Sequence, residues 1–142
     1  MKRTLLIVLL AGDLIALLAF VLIGQADHQT LNAANPIAGA LPNAVAFIVP
    51  WVVAGWLLGA YPAGPALPAL GSFMGRSLNT WLVAAPLGVL LRAALLGRSV
   101  IPTPFLAVTL AVGGLFILGW RLLFRLVLAR QAGTAEPANK PS

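Results

Sequence analysis

The chain has 142 residues, 61% apolar and 8% charged, with nine bases against three acids and a net charge of +6. A soluble domain carries roughly 25% charged residues, so most of this surface must face lipid or other protein. There is no cysteine and only one histidine, which excludes disulfides, thiolate metal sites, thiol redox chemistry and a haem held between two histidines of this chain.

Lys2 and Arg3 precede an apolar run from Thr4 to about Gly24. At 1.5 Å per residue this run crosses a hydrocarbon core of about 30 Å. It exceeds the h-region of a signal peptide and carries Asp13 at its middle, so it reads as a retained first helix. The polar segment 25–43 follows, with Asp27, His28 and Asn32 but no Lys or Arg.

The second span is expected over about 44–60, with Pro50 bending it or lying near its start. Trp51, Trp56 and Tyr61 are candidates for interface anchors or protein contacts. The loop 61–77 has prolines at 62, 65 and 68, a period that suits polyproline II geometry. The third span is expected over about 78–96, with Pro86 near its centre and Arg92 in its outer half. The fourth is expected over about 104–127, with Pro104 in its first turn and Arg121 and Arg125 in its last turns. The tail 129–142 is polar and reads as flexible.

The sequence therefore predicts an all-α, four-helix transmembrane bundle. Seven of the nine bases (Lys2, Arg3, Arg76, Arg121, Arg125, Arg130 and Lys140) fall on the side of the N-terminus. By the positive-inside rule both termini are cytoplasmic in a multi-pass protein of the inner membrane. That placement accounts for the net charge by topology, and no nucleic-acid partner is expected. Helix packing is expected at small residues, including Gly12, the Gly55/Gly59 pair, Gly88 and Gly114.

Asp13 is the sharpest feature. A carboxylate at the bilayer centre costs roughly 2.5–3.5 kcal/mol on insertion scales, so it must be protonated, paired or wet. Arg92 is the expected partner, about five residues outward of the third span's midpoint and long enough to reach inward. Arg121 is expected to snorkel to the headgroups. Asp13 as a proton carrier, or as a contact for a polar ligand, stays open. His28 reads as a loop residue, with a single-histidine pigment, quinone or metal contact as the alternative. Asp27 beside it is too little for a metal site, and none is expected. No nucleophile–base set, phosphate loop or carboxylate pair is visible, so enzymatic activity is not expected.

Several short motifs resemble those of domain of unknown function 3054, a family of small prokaryotic membrane proteins. They are Asp13 in the first span, the Gly24-x-x-x-His28 junction and the aromatic–proline stretch from Phe47 to Gly55. Leu91-Arg92 and Gly119-Trp120-Arg121 complete the set. The chain departs from the pattern at Gln25, where an arginine is expected. The resemblance implies that Asp13, His28, Arg92 and Arg121 form one polar cluster, and it implies no activity.

The function expected from the sequence is a non-enzymatic accessory or structural subunit of a larger membrane complex, respiratory or photosynthetic. Its expected partners are membrane lipid and other membrane subunits. A small proton-coupled transporter using Asp13 is the alternative, similar in outline to the small multidrug resistance transporters. A lipid- or pigment-binding module is the third reading.

Overall fold

In a computed structural model of the chain, the described residues are 3–27, 34–62, 68–99, 101 and 103–134. Their only regular structure is helical, without a strand, and they form four helical spans long and apolar enough to cross a membrane. The first three spans are α1 (Arg3–Asp27), α2 (Pro36–Leu57) and α3 (Leu70–Leu95). The fourth is built from α4 (Thr103–Val108), a π-helical turn (Thr109–Gly113) and α5 (Gly114–Thr134). Neighbours in the bundle are α1 with α2, α2 with α3, α3 with the fourth span, and the fourth span with α1. The four spans thus stand at the corners of a square, and only long side chains bridge its diagonals.

The surface is inverted relative to a soluble protein. Large apolar side chains face outward on every span, among them Ile15, Leu82, Leu115 and Trp56, the last 80% exposed. The fully buried polar residues are Asp13, Ser77, Thr80, Thr109 and Arg121. Such a surface suits hydrocarbon, and the interior polar groups then require partners within the protein.

Three spans differ in extent from the sequence expectation, each for a local reason. The second begins eight residues early because Asn35 caps it, its Oδ1 accepting from the Ala38 amide at 3.1 Å, with Pro36 in the first turn. The third also begins eight residues early. Gly71, Ser72 and Gly75 read as loop, yet Phe73 is buried and Ser77 Oγ donates to the Phe73 carbonyl at 2.8 Å, holding this first stretch as helix. The fourth runs on to Thr134, through residues 129–134 of the expected tail. Arg125 Nη2 donates to the Pro68 carbonyl at 3.3 Å and ties that end of the helix to the loop before α3.

Two glycines end helices. Gly59 and Gly97 have φ of 70° and 62°, values that a side chain disfavours. In each case the next amide reaches back five residues, Ala60 N to Gly55 O and Arg98 N to Ala93 O, both under 3 Å, which is the Schellman arrangement. Gly59 is therefore a turn residue, not the helix-packing residue expected from the Gly55/Gly59 spacing.

The other four glycines do sit in close contacts. A Cβ on Gly12 would run into the Trp120 indole, and one on Gly88 into Phe47 and the Ala46 carbonyl. That carbonyl has lost its usual i+4 donor to Pro50. Gly55 lies against Tyr61, and Gly114 against Trp81. The core between the spans is aromatic, with Phe20 edge-on to Phe47 at 5.6 Å and Trp51 to Trp81 at 6.1 Å. The π-helical turn alters the hydrogen-bond ladder beside Trp81, whose Nε1 donates to the Leu110 carbonyl at 3.0 Å.

Candidate functional site

Two arrangements of polar residues lie at different depths in the bundle. The deeper one is centred on Asp13. Asp13 lies ten residues past Arg3, and Arg121 lies ten residues before Gln131, which stands in the last turn of the fourth span. In neighbouring spans that run in opposite directions, both are then roughly 15 Å from the same side.

Arg121 Nε donates to Asp13 Oδ1 at 3.0 Å, and its Nη2 donates to Oδ2 at 2.6 Å. This two-point fork is the geometry in which a guanidinium binds a carboxylate most strongly. Asp13 Oδ2 also accepts from Trp51 Nε1 at 3.0 Å and from Tyr61 Oη at 3.3 Å. Arg121 Nη1 donates to the Ala60 carbonyl at 2.9 Å and to Ser77 Oγ at 3.1 Å. The Arg121 Cζ lies 4.8 Å from the Trp51 ring centre, 4.9 Å from that of Tyr61 and 5.7 Å from that of Phe73.

All four spans therefore meet at one ion pair. The Gly59 turn matters here, because it brings the Ala60 carbonyl and the Tyr61 ring back over the end of α2. Burial first, and then the neighbouring Asp13 carboxylate, raise the Tyr61 phenol above its ordinary value, so it stays protonated and donates. Four donors occupy a carboxylate that has about four acceptor positions. A proton carrier at Asp13 would have to shed the guanidinium in each cycle, and neither side chain is accessible to solvent.

This geometry corrects the expected pairing of Asp13 with Arg92. With α3 beginning at Leu70, its midpoint falls between Leu82 and Val83, and Arg92 stands about 14 Å outward of it rather than 7.5 Å. Conversely, the longer fourth span carries Arg121 inward, away from the headgroups it was expected to reach. Arg92 Nε instead donates to Asn43 Oδ1 at 2.9 Å, and its Cζ lies 4.8 Å from the Phe105 ring centre. Of the implied four-residue cluster, Asp13 and Arg121 are together and Arg92 is apart. His28, with its expected ligand contact, lies outside the described residues.

The second arrangement is a cavity of about 460 Å³ at the end of the bundle that holds Arg92. All four spans contribute to it. Phe20, Phe47, Val89 and Phe105 form apolar wall, while Gln25, Asn43, Arg92, Arg98 and Thr109 supply polar groups. Its size falls within the ordinary range of ligand sites. Among the described residues no three of His, Cys, Asp or Glu come together to hold a metal ion.

The sequence does not by itself single out Trp51, Tyr61, Ser77 or the Ala60 carbonyl as partners of the charged pair. The available signal was that a buried carboxylate and guanidinium together need more donors and acceptors than one another. Tryptophan and tyrosine are the apolar residues that carry them.

A family model described as "Protein of unknown function (DUF3054)" matches residues 10–124, which include both arrangements. No curated protein and no solved structure matches the chain.

Proposed function

Since the chain belongs to the DUF3054 family of proteins of unknown function, we propose from its own geometry that it is a non-catalytic membrane protein that binds a small amphiphilic ligand. The observation that carries this reading is the cavity at the Arg92 end, apolar along its walls and polar in a few places. That is the composition of sites built to orient a largely apolar molecule. The Asp13–Arg121 pair serves as the lock that fixes the four spans around it. The distribution of Lys and Arg supports an inner-membrane location with both termini cytoplasmic.

Mild extraction followed by mass spectrometry of the co-purifying small molecules tests the reading. Wild type and Val108→Trp, which places an indole on the cavity wall, are compared at equal amounts of folded protein. One species retained by wild type and depleted in the variant is the expected result. Identical profiles overturn the reading.

A second reading, an accessory subunit of a larger membrane complex, is favoured by one observation. Gly71 and Gly75, four apart on α3, are exposed, and a Cβ at either would meet nothing within 4 Å. Small residues at this spacing let a second helix approach closely. This reading expects other polypeptides to co-purify at fixed ratio, and the loss of them on Gly75→Leu. A proton-coupled transporter draws no comparable support, because its essential acid would be the residue held by four donors.

A further inference from the structure

The class of ligand follows from three features of the cavity, and the inference rests on the reading of this cavity as a binding site. Arg92 is fixed by Asn43 through Nε, which leaves its two Nη groups without a protein acceptor among the described residues. Arg98 also lines the cavity and is exposed, and its guanidinium has no acceptor among the described residues. Two guanidinium groups at one mouth call for an anion with several acceptor oxygens. Arg92 lies three residues before the end of α3 and Arg98 just beyond it, the depth at which a span leaves the hydrocarbon and meets the headgroups.

The third feature lies further in. Thr109 is 1% exposed and lines the cavity, and its hydroxyl has no hydrogen-bond partner among the described residues. A buried hydroxyl left unpaired costs free energy that a ligand acceptor can recover. Thr109 stands four residues, about one helical turn, beyond Phe105, the ring over which the Arg92 guanidinium lies. The required ligand thus has an anionic head at the mouth, a neutral acceptor about one helical turn deeper, and an apolar tail for the aromatic wall.

We propose that the cavity binds an acylglycerol phosphate drawn from the bilayer. Its phosphate sits between Arg92 and Arg98. Its ester carbonyl, one glycerol away, accepts from the Thr109 hydroxyl. Its acyl chain lies along Phe20, Phe47 and Val89.

The test is a titration of the full chain in a maltoside detergent, which supplies neither phosphate nor ester, read as the rise in unfolding temperature. The probes are oleoyl lysophosphatidic acid, oleate, oleyl alcohol and inorganic phosphate. Lysophosphatidic acid is expected to stabilise most, oleate less, and the other two not at all. Arg92→Gln with Arg98→Gln is expected to weaken lysophosphatidic acid at least about tenfold. Thr109→Val is expected to weaken lysophosphatidic acid but not oleate. If the double variant does not fold, Arg98→Gln alone carries the test, since the Arg98 side chain bonds to no other described residue.

Equal stabilisation by oleyl alcohol and lysophosphatidic acid, unchanged in the arginine variants, overturns the phosphate assignment and leaves a site for an apolar ligand. Stabilisation by inorganic phosphate as strong as by the lipid overturns the acyl-chain assignment. Stabilisation by no probe, at concentrations where each partitions into the micelle, overturns both this inference and the binding reading beneath it.

Discussion

Asp13 and Arg121 are separated by 108 positions in the chain and joined by two hydrogen bonds in the middle of the bundle, with both side chains fully buried. Among the described residues, every other group that hydrogen-bonds to the pair or lays a ring against it comes from α2, α3 or the Gly59 turn. The ion pair therefore closes the ring of four spans, and its surroundings supply the partners that such a pair needs if it is not to destabilise the fold.

Removing one member should be worse than removing both. Asp13→Asn or Arg121→Gln alone is expected to cost about 3–5 kcal/mol of stability, because each leaves a buried partner charge or donor unmatched. The double variant is expected to recover part of that loss. Thermal unfolding in detergent, run as a double-mutant cycle, measures the coupling. Additive losses contradict the lock, and a coupling of Asp13 to Arg92 larger than to Arg121 would restore the pairing first expected.

Glycine positions on the helices divide by what a methyl group meets. Gly88→Ala drives a Cβ into the Phe47 ring and the Ala46 carbonyl, and should cost about 1–3 kcal/mol through overpacking. Gly119→Ala meets nothing within 4 Å, and should be neutral or stabilising by up to about 1 kcal/mol through helix propensity. Unfolding midpoints of the two variants side by side check the α2–α3 contact. Equal midpoints contradict it.

Tyr61 is the single tyrosine in the sequence, which makes its ionisation visible in the ultraviolet. Burial and then the Asp13 carboxylate hold its phenol neutral above the ordinary value near 10. At pH 11 the folded protein should show no tyrosinate absorbance, and unfolding at that pH should produce it. Because the folded-state value is raised, the neutral phenol's contribution is complete below the unfolded value. It is lost as pH climbs through the folded one. Tyrosinate appearing near pH 10 in folded protein contradicts the Tyr61–Asp13 contact.

Much of the fold was legible because hydropathy over a membrane span is a strong signal and four such runs are present. The ends of the spans were not, because they depend on local caps. Asn35 and Pro36 read as loop residues although together they start a helix, and Arg130 and Gln131 read as tail although they continue one. Shifting the span ends shifts the charged residues in depth, which is why the sequence alone puts Arg92 beside Asp13 in the position that Arg121 occupies. Asp13 itself was plain from its cost in hydrocarbon. The partners Trp51, Tyr61 and Ser77 were hidden, since their roles follow from which faces of α2 and α3 turn inward, and in lipid apolar periodicity gives no direction. The cavity was also hidden, because the ends of all four spans must be in register before Arg92, Arg98 and Thr109 share one space.

The most direct test of ligand binding as the function is the intact mass of the protein, released from mild detergent without denaturation. The expected result is the 14.7 kDa chain, singly or in a few copies, each carrying one lipid-sized addition that is lost with Arg92→Gln and Arg98→Gln. Bare chains with no such addition would contradict it, and a larger mass made up with other polypeptides would make the protein a subunit.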